Sequence, residues 1–420
     1  MPKSRSPLVI IFITIFIDLV GFGIVIPVLP LYAERYGASE ATIGILVATY
    51  SAMQFVFAPI LGKLSDRVGR RPVLLVSLIG TSVGFLIMGM ASRLALLGLA
   101  PTLAWLFAAR VIDGISGGNI STAQAYIADV TPPDQRSKGM VLIGAAFGLG
   151  FVFGPLIGGV LSRISPEAPF FFAAAMAAVN ATALYFLLPE SLSHEHRSEA
   201  RRPGILKMVE QSGSSQLGAI LATYFFTTTS FAIVTVTFAL FAAHRFGFDA
   251  WHTGFLFGYV GVIGAIIQGG LLGHLVKLFG DKPLAVAGTA IFAVSVFGFP
   301  LSASVPTLIL AATGIAIGNS LMTPTLNGLA SKSVKGSLQG RVLGVMASVA
   351  SLARIIGPIL GGTLLGRDPD NSAHYGRTPY WTSSGIMLVA LALALMLKAK
   401  AAVSEEEVSE DSGGELSMLE

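Results

Sequence analysis

The sequence predicts an all-α membrane protein of twelve transmembrane helices, built as two six-helix repeats that share one orientation. Three observations predict it. The 420-residue chain is 53% hydrophobic and only 12% charged, with a mean hydropathy of +0.75, whereas an ordinary soluble domain is roughly 25% charged. Its apolar residues gather in runs long enough to cross a bilayer. Its basic residues alternate between two sets of loops.

A hydrocarbon layer of ~30 Å takes about 20 helical residues to cross. Runs of that order occur at 8–32, 41–62, 73–92, 98–126, 139–162, 169–188, 216–243, 253–275, 283–302, 305–330, 341–365 and 380–400, numbered here spans 1 to 12. Residues 1–7 are too short and polar for a cleaved leader, and the run behind them outlasts a signal-peptide core, so it is read as span 1. The 48 Gly and 21 Pro are spread along the spans rather than collected in linkers, as in helical membrane proteins. Loops are mostly short, which makes successive spans antiparallel neighbours. The exception is the polar stretch 189–215, with His194, Glu195, Arg197, Arg201 and Arg202. It separates an N-terminal bundle, 1–188, from a C-terminal bundle, 216–400. Residues 401–420, rich in Glu405, Glu406, Glu407, Glu410 and Asp411, are expected to be a disordered acidic tail.

Lys and Arg give the orientation. With the N-terminus in the cytoplasm, 19 of the 27 fall on cytoplasmic segments and six (Arg35, Arg93, Arg163, Arg245, Arg367 and Arg377) on the opposite side. The bias alternates loop by loop, which a missed span would scramble, so both termini and the 189–215 linker are expected inside. The formal charge of +4 and pI near 9.3 do not indicate nucleic acid, because the basic residues form short clusters between spans.

Two segments recur. Gly62 to Pro72, after span 2, aligns with Gly273 to Pro283, after span 8. Gly154-Pro155-Leu156-Ile157-Gly158-Gly159 in span 5 matches Gly357-Pro358-Ile359-Leu360-Gly361-Gly362 in span 11. Both copies lie six spans apart, so the repeats are parallel and a substrate site is expected between them near mid-membrane.

An ionised side chain at mid-membrane costs about 2.5–3.5 kcal/mol on the lenient insertion scale. Four occur there: Asp18, Arg110, Asp113 and Arg354. Arg110 and Asp113 are three apart on span 4, on a face shared with Gly117, Ser121 and Gln124. They read either as a proton switch, with Asp113 charged while paired, or as a permanent ion pair that fixes packing. Asp18, about ten residues into span 1, can exchange a proton, bind a cationic substrate or cap a bent helix beside Gly21, Gly23 and Pro27. Arg354 can face Asp18, attract an anionic part of a substrate, or serve packing. Weaker candidates for a cavity lining are Asn319, Thr323 and Asn327 on span 10 and Tyr224, Thr228 and Thr235 on span 7, since interhelical hydrogen bonds average only about 0.6 kcal/mol. In the loop after span 2, Gly62 and Gly69 permit a tight turn, while Asp66, Arg67, Arg70 and Arg71 can pair across the cytoplasmic ends of the halves.

Enzyme readings find no support. The six His lie at helix ends or in loops, none forms a His-Glu-x-x-His site, and nothing resembles a phosphate-binding loop. There is no Cys, which removes disulfides, thiolate metal sites and thiol nucleophiles. No cofactor or metal is expected.

Asp18-Leu19-Val20-Gly21-Phe22-Gly23-Ile24-Val25-Ile26-Pro27-Val28-Leu29-Pro30, Gly62 to Pro72, Arg110 with Gly114, and Gly144 to Gly159 stand in order on spans 1, 2–3, 4 and 5. Together they resemble the drug:proton antiporter branch of the major facilitator superfamily, which includes bacterial tetracycline efflux pumps. The resemblance covers nearly all of 8–400. It implies the major facilitator fold and export of small amphiphilic organic molecules or drugs against protons across a bacterial inner membrane, by a monomer. It adds Asp129 to the loop network as part of a gate; Gly154 and Pro155, by their own chemistry, let backbones approach and span 5 bend. Tetracycline pumps carry further acids in spans 3 and 9, where this chain has Gly84 and Phe292, and Asp113 stands at a place uncharged in those pumps. The alternatives on the same architecture are a metabolite facilitator or proton symporter, and a non-transporting receptor or scaffold.

Overall fold

Each apolar run folds as a helix in the computed structural model, which describes residues 7–131, 136–192, 215–334, 338–369 and 373–397. Among the described residues there is no strand, and eleven continuous helical segments are long and apolar enough to cross a membrane. They are Pro7–Glu34, Glu40–Val68, Arg70–Leu96, Ile143–Ser162, Ala168–Leu187, Gln216–Phe246, Ala250–Phe279, Asp281–Leu301, Val305–Lys332, Gln339–Leu365 and Arg377–Met396. Span 4 is the twelfth, and it is broken. It runs Thr102–Ser116 and then Asn119–Val130, interrupted at Gly117 and Gly118. Span 8 also departs from a regular helix, through a π turn at Ile267–Leu271 within its Gly-rich stretch. The expected tail and most of the 189–215 linker lie outside the described residues.

The spans leave Val76, Phe186, Val294 and Leu310 between 68% and 75% exposed, a surface suited to lipid rather than water, while helical backbones satisfy their own polar groups. Local chemistry sets the helix ends. Ser39 caps span 2 by accepting from Thr42 N at 3.3 Å, and Asp249 caps span 8 by accepting from His252 N at 3.0 Å. Burial works against the Asp249 carboxylate, but hydrogen bonds from His252, with the charges of His252 and Arg163, outweigh it and hold its pKa below the usual carboxylate range.

The repeat seen in sequence has a structural counterpart. Gly69 and Gly280 occupy equivalent places in the two copies, and both take positive φ, +113° and +80°, where one span ends and the next begins. Only glycine enters that region without strain. The Gly-Pro segments match as well. Span 5 wedges between spans 1 and 8: Gly154 packs on Gly23, and the Pro155 carbonyl abuts Gly254. Span 11 wedges between spans 7 and 2: Gly357 packs on Thr229 and Ala232, and the Pro358 carbonyl abuts Gly44. Each half therefore inserts a glycine-lined helix against the second helix of the other half.

The apolar cores show how the halves are opened. One cluster joins both halves at the end that carries Glu34, bringing Val28, Leu29 and Tyr32 together with Phe238, Phe241 and Phe299. Away from that end the core divides into smaller clusters, each confined to one half, among them one at Ile267, Leu284 and Leu321. Leu74, Leu78, Tyr126 and Ile127 pack within the first half, and Leu217, Ile220, Leu326 and Val345 within the second. The halves are thus sealed together at one end and separately packed at the other.

Candidate functional site

The site is built around the break in span 4. Two consecutive glycines lower helix propensity, and their missing Cβ atoms are needed: a side chain at Gly117 would strike the Tyr50 hydroxyl, and one at Gly118 would come within 3.0 Å of Ala58 Cα. The interrupted backbone is re-satisfied from span 2, where Gln54 Nε2 donates to Gly117 O at 2.8 Å and to Tyr50 Oη at 3.3 Å.

One turn before the break, Arg110 Nη1 donates to Asp113 Oδ2 at 2.9 Å, with the side chains 1% and 6% exposed. The Arg110 guanidinium also lies over the Tyr50 ring, 4.5 Å from its centroid. Asp113 packs against Gly84 of span 3, where an added Cβ would lie 3.1 Å from Asp113 Cβ. The acid peculiar to span 4 and the glycine at the expected acidic place of span 3 are therefore in direct contact. Asp18 lies within electrostatic reach of Asp113 and receives the Asn119 side chain from just beyond the break. Unlike Asp113 it remains partly exposed.

The second half contributes Arg354, also partly exposed, whose Nη2 donates to Ser351 Oγ at 3.1 Å. Its polar neighbours are Tyr224 of span 7 and Tyr50 of span 2. Tyr50 stands within reach of Asp113, Asp18, Arg110 and Arg354 together, and its ring packs at 5.5 Å on Phe22. Sequence reasoning missed Tyr50, Gln54, Phe22 and Asn119. The four-residue spacing of Tyr50 and Gln54 on one face of span 2 was the available signal.

The remaining candidates spread outward. Tyr224, Thr228, Asn319 and Asn327 are partly exposed. On span 10, Thr323 Oγ1 donates to Asn319 Oδ1 and Asn327 Nδ2 to Thr323 O, each at 3.1 Å, so the stripe is partly satisfied within its own helix. Thr235 donates back to Phe231 O at 2.8 Å. Gln124 is exposed and follows Asp113 by eleven residues, about 16 Å of helical rise. Ser121 turns to span 2 and donates to Ala58 O at 3.2 Å. The single polar stripe expected on span 4 is divided by the break.

Of the residues expected in a loop after span 2 only Gly69 leaves the helix, since Asp66 and Arg67 end span 2 and Arg70 and Arg71 open span 3, and Arg70 and Arg71 make contacts within the first half in this conformation. Arg70 joins Asp66 and Asp129, the latter through Nε at 3.1 Å. Arg71 donates to Tyr185 O and lies over the Tyr185 ring at 5.3 Å. Arg67 also has partners. Glu190, which sequence reasoning missed, accepts from Arg70 N at 2.8 Å and Arg71 N at 3.1 Å, placing a carboxylate at the N-terminus of span 3. Gly62, expected in a turn, lies inside the span 2 helix and faces Ser121, while a side chain at Gly69 would collide with Glu190 at 2.5 Å as well as strain the backbone. The contacts of Arg70 and Arg71 stay within the first half because the cores of the two halves are separate at this end.

At the sealed end, polar contacts do cross. His244 Nε2 lies 2.7 Å from Glu34 Oε1, His244 stacks on Tyr375 at 4.6 Å, Tyr375 Oη donates to Glu40 Oε1 at 3.4 Å, and Arg163 covers the Trp251 ring at 4.1 Å. No cluster of three potential metal ligands occurs among the described residues.

Twelve spans in two interlocked repeats, with charged residues gathered where the halves meet, define a secondary transporter rather than an enzyme. The sequence model described as Major Facilitator Superfamily matches residues 11–272 and 269–418, and the chain belongs to that family. It is 35% identical over 375 residues to the tetracycline resistance protein, class C, of Escherichia coli, an alignment covering 85% of this chain and 89% of that one. It is 29% identical to multidrug resistance protein 2 of Bacillus subtilis (strain 168), covering 95% and 96%. Among solved structures, the human organic anion transporter TETRAN superposes with a TM-score of 0.69 at 25% identity, covering 94% of this chain and all of that one. A bacterial homolog of the human lysosomal transporter Spinster, inward-facing and occupied, superposes with a TM-score of 0.77 at 14% identity over 93% and 96% of the chains, a likeness of fold. The chain is accordingly a multi-pass membrane transporter of small molecules.

Proposed function

We propose that this chain exports small amphiphilic organic molecules, drugs among them, in exchange for protons. The observation that carries the reading is the pair of membrane-depth acids near the span 4 break, one partly exposed on span 1, Asp18, and one buried against Arg110 on span 4, Asp113. Its relatives named for resistance to tetracycline and to multiple drugs support the substrate class.

The alternating charge of the loops supports cytoplasmic termini and a bacterial inner-membrane setting. The sealed Glu34 end then faces outside, and the conformation is open to the cytoplasm. Residues 1–188 and 216–400 act as the two moving bundles, with 189–215 as their cytoplasmic linker. The unit of transport is the monomer.

In the cycle that follows, substrate enters from the cytoplasm and contacts Asp18, Tyr224, Thr228, Asn319 and Arg354. The halves rock, separating at the Gly44 and Gly254 contacts and closing at the loop of Asp66, Arg70 and Asp129. A proton from outside then neutralises Asp18 or Asp113, weakens the polar hold on the substrate and lets it leave. Each charge crossing 100 mV supplies about 2.3 kcal/mol and each pH unit about 1.4 kcal/mol, enough to drive export without ATP. Purified protein reconstituted with an internal pH dye tests this: tetracycline or another relative's drug should move protons opposite to itself. Movement in the same direction would identify a symporter, and a drug flux without protons a facilitator.

A further inference from the structure

Among the described residues Arg354 is the only charged side chain at membrane depth in the second half. The acids of that half between residues 216 and 400 are Asp249, Asp281, Asp368 and Asp370, and in the sequence all four fall at span ends or between spans. Arg354 presents five N–H donors and no acceptor. The hydrogen bond it makes goes to the neutral hydroxyl of Ser351, one turn earlier on its own helix. The phenols of Tyr224 and Tyr50 are the titratable groups within electrostatic reach of it. Among the described residues no carboxylate forms an ion pair with it, and Asp113 is paired with Arg110 instead.

The contrast with Arg110 is informative. Arg110 is 1% exposed and compensated by a carboxylate and a ring face. Arg354 is partly exposed and lacks a counter-charge, at the seam between the halves. A cation held at membrane depth among neutral neighbours is unfavourable unless something anionic joins it during function. A guanidinium suits a planar, two-oxygen anion, which it can grip with parallel hydrogen bonds. The aromatic surface nearby, partly exposed Tyr224 and Phe22 with Tyr50 between Phe22 and Arg354, suits a flat apolar body.

We propose that Arg354 binds an anionic group of the transported molecule, a carboxylate or an enolate of similar shape, carried on an aromatic body. The proposal rests on the transporter reading and narrows its substrate class to aromatic organic anions and zwitterions. Asp18 remains open for a cationic group or a proton at the same time.

The test is equilibrium binding by calorimetry to purified protein at neutral pH, using three probes that share one ring system: naphthoate, its methyl ester and naphthylmethylammonium. Wild-type protein should bind naphthoate about tenfold or more tightly than either other probe. Arg354→Gln should abolish that preference, and Arg354→Lys, which keeps the charge but not the fork, should retain part of it. Equal binding of the three, a preference for the ammonium, no binding by naphthoate, or an anion preference that survives in Arg354→Gln would overturn the proposal. If Arg354→Gln fails to elute as a single folded species, the wild-type comparison and the Lys variant still decide. Proton movement is read separately in vesicles. A head-group preference without proton movement sinks the antiport reading and leaves the anion site standing, whereas proton movement without the preference does the reverse.

Discussion

Arg110 and Asp113 face each other at 2.9 Å one helical turn apart, with Gly84 of the neighbouring span leaving the space that Asp113 fills. The two members of this pair are not equivalent. Arg110→Ala leaves a buried carboxylate without a partner, a situation that typically costs about 3–5 kcal/mol. Asp113→Asn leaves an arginine that still has the Tyr50 ring. Thermal unfolding in detergent should therefore show a larger loss for Arg110→Ala than for Asp113→Asn. The opposite order would mean that the carboxylate, not the guanidinium, is the group the fold depends on.

The sealed end is held by backbone contact at two glycines. A Cβ at Gly44 would overlap the Pro358 carbonyl oxygen, and one at Gly254 the Pro155 carbonyl oxygen. Gly44→Ala and Gly254→Ala should weaken this closure while leaving each half folded, and so raise the reactivity of a cysteine placed near the site from the Glu34 side. Unchanged reactivity in both variants would show that the closure tolerates the added methyl and does not depend on close approach.

At the opposite end, Asp66 and Asp129 share Arg70, and Glu190 holds the start of span 3. Asp66→Asn should slow turnover and increase access to the site from the loop side, because the closed arrangement of that end loses a charged partner, while thermal stability changes by about 1 kcal/mol or less. Wild-type turnover and access in Asp66→Asn would reduce the motif to a charge signal for topology.

The topology itself is open to a direct check, since the chain contains no native cysteine. Lys63→Cys should react with an impermeant thiol reagent only after cells are opened, and Arg35→Cys in intact spheroplasts. The reverse pattern would invert the protein in the membrane, and the sealed end would then face the cytoplasm.

The architecture was legible because its signals are local. Apolar runs gave the spans, and Gly69 with Gly280 and Gly154-Pro155 with Gly357-Pro358 gave the repeat. The four membrane-depth charges were legible for the same reason, each standing out against an apolar run. What escaped was what only tertiary contact decides. Tyr50 reads as one more aromatic in span 2 until Arg110 is seen over its ring and Arg354 within its electrostatic reach. Glu190 meets Arg70 from 120 residues away. The break at Gly117 and Gly118 is stabilised by Gln54, on another span. The arginines after span 2 can pair across the halves only where that end is closed, and which end is closed is a property of conformation rather than of pattern.

The central claim is that protons are exchanged through Asp18 and Asp113. The measurement that tests it most directly is uphill uptake into inside-out proteoliposomes with an imposed pH gradient, comparing wild type with Asp18→Asn, Asp113→Asn and the double variant, alongside binding of the same drug to the purified proteins. The account predicts that each single variant loses concentrative transport, that at least one still binds drug or exchanges it downhill, and that the double variant responds to no proton gradient. A double variant that still concentrates drug against its gradient would contradict the account and move proton exchange elsewhere, with Asp66 and Asp129 the next groups to examine.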